Sequence, residues 1–145
     1  MIQVVSLHKR YKLNEPLLKK IAANILKAID KQGRRVLDIV FLDDTALKSL
    51  NKKYKDRDRL TDVLSFDLGD FGEIFISVDR AIANSKIFGT RIEEELVLYV
   101  IHGILHLYGY DDENVEDKTR MSAKESEILR LICRKEVLST VLMPL

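Results

Sequence analysis

A single cysteine, Cys133, stands in a chain of 145 residues. A disulfide framework is therefore excluded, and Cys133 is expected to be a small buried hydrophobe in a late helix. No apolar run reaches the roughly 18 residues that a membrane span needs. The opening segment, MIQVVSLHKR, lacks the basic-then-apolar order of a secretory leader. These absences point to a soluble protein of a reducing compartment. An excess of charge is missing too. There are 24 basic residues against 23 acidic ones, a net charge of +1, so bulk charge does not mark a nucleic-acid binder. Repeats, linkers and low-complexity tracts are also lacking, and one domain over residues 1–145 is the expectation.

Apolar residues make up 46% of the chain, enough to build a core and to set disorder aside. The segment IQVVSL is short and β-branched, as in a strand. A helix is expected from Asn14 to Lys31, with Asn14 as its cap, Pro16 in its first turn and Gly33 as its stop. RVLDIVFL reads as a strand buried on both faces. Asp43 or Asp44 is placed to cap a short helix, TALKSLNKKY, in which Tyr54 shares a face with Leu47 and Leu50. After the charged segment KDRDR come two further strands, TDVLSF and EIFIS. Ser77 then caps a helix that Gly89 ends. Thr90 and Glu93 make a capping box for the next helix, which runs to about Tyr108. Between Leu96 and Leu107 that helix carries no charge, so it is expected to be buried and central. A last helix runs from about Val115 to Val137, with Ile128, Leu131 and Ile132 toward the core. The tail STVLMPL gives no clear signal. Four strands followed by a helical second half predict an α+β fold, a small mixed four-stranded sheet packed with helices.

The chemistry concentrates in HGILHLYGYDD, residues 102–112. His102 and His106 are four apart on an apolar helix, so both rings share one face. Polar groups there need partners. A metal ion is the partner this spacing favours; hydrogen bonds to backbone or carboxylate are the other. A catalytic zinc takes three protein ligands. Gly109 lets the chain turn, and Asp111 or Asp112 can return as the third. His8, on an early strand, is the more distant candidate. The pair is close to H-E-x-x-H, but the glutamate that serves as base in that peptidase motif is replaced by Gly103. Gly103 costs about 1 kcal/mol in a helix relative to alanine. Either close helix packing or room for a substrate would justify it.

The same stretch resembles the H-G-x-L-H-L-x-G-Y-D-H signature of the YbeY proteins, metal-dependent bacterial endoribonucleases. LNKKYKDRDRLTDVLSF, GEIFIS, and Met121 with Glu125 match further segments of that family in order and spacing, over roughly residues 50 to 130. The resemblance implies a zincin-like α+β domain around a buried metal-site helix. It implies one divalent ion, usually zinc, and cleavage of single-stranded RNA in ribosomal RNA maturation and ribosome quality control. It also implies the small ribosomal subunit as partner, no DNA substrate, and the bacterial cytoplasm.

The family's third ligand is a histidine where this chain has Asp112. A carboxylate can bind zinc, so His102, His106 and Asp112 form the expected ligand set. The family's phosphate-binding arginine is Lys55 here, which loses the bidentate fork; Arg57 or Arg59 stands near enough to substitute. From Lys48 to Arg59 six basic residues face two acids, a patch suited to phosphate. Leu60 and Asp67 replace family prolines, and Glu73 an aspartate. Thr61, Asp62 and Ser65 belong to the signature, and capping or sheet hydrogen bonding is the preferred role for them. Two routes stay open, attack by zinc-activated water or by the RNA 2′-hydroxyl. The departures at Asp112 and Lys55 keep an alternative in view, a ribosome assembly or RNA-binding factor with a weakened metal site. A peptidase is a third reading, which the absent glutamate opposes.

Overall fold

The computed structural model describes residues 1–33, 35–55 and 61–143. Four strands form the main sheet: β1 (Ile2–Ser6), β3 (Val36–Leu42), β4 (Val63–Asp67) and β5 (Phe71–Ser77). Their order is β1-β3-β5-β4, with β1, β3 and β5 parallel and β4 antiparallel to β5. The fold is thus α+β with a mixed sheet, as the order of elements predicts. Alternation along the strands assigns the faces. Leu37, Ile39 and Phe41 of β3 and Ile74 and Ile76 of β5 point into the main core and are almost wholly buried. The other face carries only a smaller cluster, in which Leu42, Leu47 and Leu64 pack with Val40, Phe66 and Phe75. Asp38 and Val40 are half-buried there, so β3 is closed on one face and only partly covered on the other.

Among the described residues there are five α-helices: α1 (Glu15–Ile29), α2 (Asp44–Lys55), α3 (Val78–Phe88), α4 (Ile92–Leu107) and α5 (Val115–Lys135). Their starts follow local chemistry. Asn14 Oδ1 accepts from the Leu17 N–H, Asp43 Oδ1 from Ala46, and Ser77 Oγ from Arg80. Asn114 does the same for α5, accepting from Asp117. Helix α3 ends at Gly89 in the left-handed region. Two expectations about ends need correction. Helix α1 stops at Asp30, three residues before Gly33. Thr90 and Glu93 form no capping box: α4 begins after Arg91 without a side-chain cap, and Thr90 Oγ1 donates instead to the buried Glu95 at 2.6 Å.

Helix α4 is the central one. It packs on β4 and β5, with α1 and α5 alongside. Only the backbone of a glycine lets it approach so closely. A Cβ on Gly103 would stand 2.6 Å from Cγ2 of the fully buried Ile74 and 3.3 Å from Ser65 Oγ. Close packing is therefore the reason for that glycine. Helix α5 buries Met121, Ile128 and Ile132. Cys133, one residue past that face, is exposed and not the buried hydrophobe expected. Tyr54 is exposed too, its ring edge-on against Phe66 at 5.7 Å rather than in the core with Leu47.

A second, two-stranded sheet joins β2 (Lys12–Leu13) to β6 (Leu142–Met143). A 3-10 turn, Leu138–Thr140, precedes β6, and Leu138 and Val141 are buried. The unreadable tail thus closes the start of α1, where the Asn14 N–H donates to the Val141 carbonyl. No helix among the described residues is long and apolar enough to cross a membrane.

Candidate metal centre

Ten of the sixteen residues of α4 are buried, and the two histidines occupy the one partly open strip. The apolar faces of the helix are committed to the sheet, α1 and α5, which leaves His102 and His106 facing outward together. Their Nε2 atoms are 3.0 Å apart. The helix then ends in a tight reversal. Gly109 has φ +89°, its N–H donates to the His106 carbonyl, and the Tyr110 N–H reaches back to Leu105. That pair of bonds, with a left-handed glycine between, is the Schellman closure. Arg35 secures the same end: its Nη1 donates to the Leu107 carbonyl at 2.9 Å, and its Nη2 pairs with Asp67. Asp67 thus anchors the cation that caps α4.

The reversal delivers Asp112. Its Oδ2 lies 3.7 Å from His102 Nε2 and 3.9 Å from His106 Nε2. The donor atoms of the three residues all fall within 4.8 Å of one another. Four ligands at 2.0–2.1 Å in a tetrahedron stand about 3.3 Å apart, so small adjustments bring these three donors around one ion. Asp111 is differently engaged, with its Oδ1 accepting from the Asp112 N–H at 2.7 Å. His8 is elsewhere, its Nε2 2.8 Å from Asp79 Oδ1.

A carboxylate from the last helix reaches the first of the two rings. Glu125 of α5, largely buried, places Oε2 3.3 Å from His102 Nδ1. A proton held at Nδ1 by that carboxylate leaves the Nε2 lone pair free for an ion. Burial, and then the neighbouring His102, keep the His106 imidazole below its ordinary value, while Asp112, a hydrogen bond with the Tyr110 backbone and Asp111 oppose them. Two imidazoles and a carboxylate make a donor set that zinc accepts. Glu125 is visible in the sequence only as part of a motif. Its spacing from the buried Met121, one helical turn, is the signal that it faces α4.

These groups lie in an open cleft of about 840 Å³. Strand β4 forms one wall, Asn51 and Lys55 of α2 stand at another side, and Phe88 at the end of α3 also lines it. Lys55 is exposed, with Nζ 4.9 Å from the centre of the Phe66 ring. Arg57, Arg59 and Leu60 lie outside the described residues. Thr61 and Asp62 line the cleft as well. Burial raises the Asp62 carboxyl above its ordinary range, against the pull of Arg80, a hydrogen bond with Asn84, and His102. Ser65 donates from Oγ to the Gly103 carbonyl at 3.0 Å, a bond between sheet and helix. Gly103 itself is turned to the sheet, so a glutamate base of the H-E-x-x-H kind has no room there.

Comparison with known proteins gives a consistent result. The family model described as Endoribonuclease YbeY matches residues 3–132. The chain is 38% identical over 124 residues to the Endoribonuclease YbeY of Endomicrobium trichonymphae, covering 83% of this chain and 87% of that one. It is 42% identical over 120 residues to the protein of the same name from Flavobacterium psychrophilum, covering 80% and 84%. The solution structure of TM1509 from Thermotoga maritima superposes with a TM-score of 0.66 at 28% identity, covering 93% of this chain and 91% of that one.

Proposed function

The chain belongs to the YbeY endoribonuclease family, and from that premise we propose that residues 1–145 are one metal-dependent hydrolase domain that cuts single-stranded ribosomal RNA. His102, His106 and Asp112 hold one divalent ion, which we assign as zinc. Lys55 contacts a phosphate of the strand. The small ribosomal subunit is the setting, in the cytoplasm, and DNA is not a substrate. One observation carries the reading: three donors of zinc-compatible type converge in the lining of a cleft, with mutual distances of 3.0, 3.7 and 3.9 Å.

What a divalent ion supplies when bound there is Lewis acidity toward a phosphoryl oxygen and a lowered pKa for water. The protein's own groups do the rest. His102 and His106 present their Nε2 atoms, and Glu125 keeps the His102 ring oriented through its contact with Nδ1. Asp112 adds a negative charge to the donor set and is itself held by the Gly109 turn. Lys55 offers a point charge at the cleft edge, able to meet a phosphate without the geometric fork of arginine. The convergence of Asp112 on both histidines supports an enzyme over an assembly factor with a weakened site.

The test is cleavage of a single-stranded RNA by metal-loaded protein, beside His102→Ala and Asp112→Ala. The expected outcome is loss of cleavage in the first variant and loss of bound metal in both. Equal cleavage by His102→Ala would remove this assignment of the centre. Unchanged metal stoichiometry and affinity in Asp112→Ala would remove Asp112 as a ligand.

A further inference from the structure

Along α4, toward its N-terminus, the cleft changes character. Leu98 lies one turn before His102, about 6 Å along the helix axis at 1.5 Å per residue. It lines the cleft together with Phe88, the last residue of α3. Phe88 is 67% exposed. Three residues join it to the start of α4, so it stands at that end of the cleft. The polar lining there is the wrong kind for phosphate. Glu95 is acidic and bound to Thr90, Asp62 is acidic, and Asn84 is neutral, with Nδ2 donating to the Tyr99 hydroxyl at 2.6 Å. Lys55 belongs to another wall of the cleft, on α2.

A nucleic acid strand has one component that is flat, uncharged and in need of an apolar partner, namely the base. Aromatic side chains stack any base that is not already stacked or paired, and such contacts are how proteins select single strands. We infer that Phe88 is a stacking platform for an unpaired nucleobase next to the nucleotide at the metal donors. This contact, with Leu98 beside it in the cleft, contributes to the choice of single-stranded over duplex RNA. The inference rests on the endoribonuclease reading and extends it to a substrate-binding residue.

The experiment uses metal-loaded protein, wild type against Phe88→Ala and Phe88→Trp, with two readouts. Cleavage of a short single-stranded RNA gives kcat and KM. Binding is measured by fluorescence anisotropy with a cleavage-resistant 2′-O-methyl strand, intact or with one abasic nucleotide moved along it. Phe88 is exposed, so unfolding midpoints of the variants are expected to match the wild type. The stacking contact predicts that Phe88→Ala weakens binding about tenfold and raises KM by a similar factor with little change in kcat, and that Phe88→Trp restores both. It also predicts one abasic position that weakens wild-type binding about tenfold but leaves Phe88→Ala unaffected. Unaltered binding and KM in Phe88→Ala, with wild-type cleavage intact, would overturn the stacking contact alone. So would abasic effects that are the same in both proteins at every position. A wild-type protein that binds the strand in a Phe88-dependent way but never cuts RNA would overturn the nuclease reading and leave the platform standing.

Discussion

In the proposed centre Glu125 acts through another side chain, the His102 ring. Its carboxylate sits 3.3 Å from His102 Nδ1. Without it the proton is free to move to Nε2, where it would block the donor, and the ring loses its orientation. Outer partners of this kind are worth about 10–100-fold in metal affinity. Glu125→Ala is therefore expected to weaken binding of a divalent ion at the proposed site by about that factor, measured by competition with a chelating dye, and Glu125→Gln by less. An Ala variant with undiminished affinity would show that the ring is held by packing alone. At this scale the histidine pair was legible, because four-residue spacing on a helix is a local property. Spacing alone left Asp111 and Asp112 open, because their positions depend on how the chain turns after Gly109, and only the family resemblance favoured Asp112. Cys133 and Tyr54 were misplaced for a related reason: one residue of helical phase, or one final turn, moves a side chain from core to solvent.

Helix α4 is positioned by its contacts rather than by its own propensities. Gly103 is the clearest case. Alanine is the better helix former by about 1 kcal/mol. Its Cβ, however, would fall 2.6 Å from Ile74 Cγ2, on a β-branched side chain fully buried in a central strand. Overpacking of that sort costs about 1–3 kcal/mol. Gly103→Ala is thus expected to lower stability by up to about 2 kcal/mol, the surplus of the second figure over the first. Urea unfolding checks it, and a stabilised variant would mean that Ile74 yields easily. The caps at Asn14, Asp43 and Ser77 were readable because each is a contact across three residues. Thr90 failed the same rule. Glu95, drawn into the interior, takes its hydroxyl, and no local pattern records that a glutamate will be buried.

Stability against pH is a property of the whole molecule, and its sign follows from His106. The folded-state value lies below the ordinary 6.5, so the unfolded chain binds the proton more readily. The contribution is present above 6.5 and is lost as pH falls through the folded value. Asp62 has the opposite sign: its raised carboxyl favours the fold only at acid pH, below the ordinary 3.8, and that contribution is lost as pH rises. Of the two groups, His106 is the one whose ordinary value lies between pH 7.5 and 5.5. Metal-free protein is expected to lose stability across that interval, and the loss should shrink in His106→Gln; chemical denaturation at constant ionic strength measures both. A flat profile would place His106 in an environment like water. Across the molecule, some features were set by the chain alone: the five helices and the four strands of the main sheet, the paired histidines, the reversal at Gly109, and the family. Each arises from residues near one another or from motifs in fixed order. The sheet order, the pairing of Lys12–Leu13 with Leu142–Met143, the arrival of Glu125 beside His102, and the opening of Phe88 onto the cleft were decided only by tertiary structure. They join segments far apart in sequence, and such contacts form only when the burial of whole faces selects one packing among many.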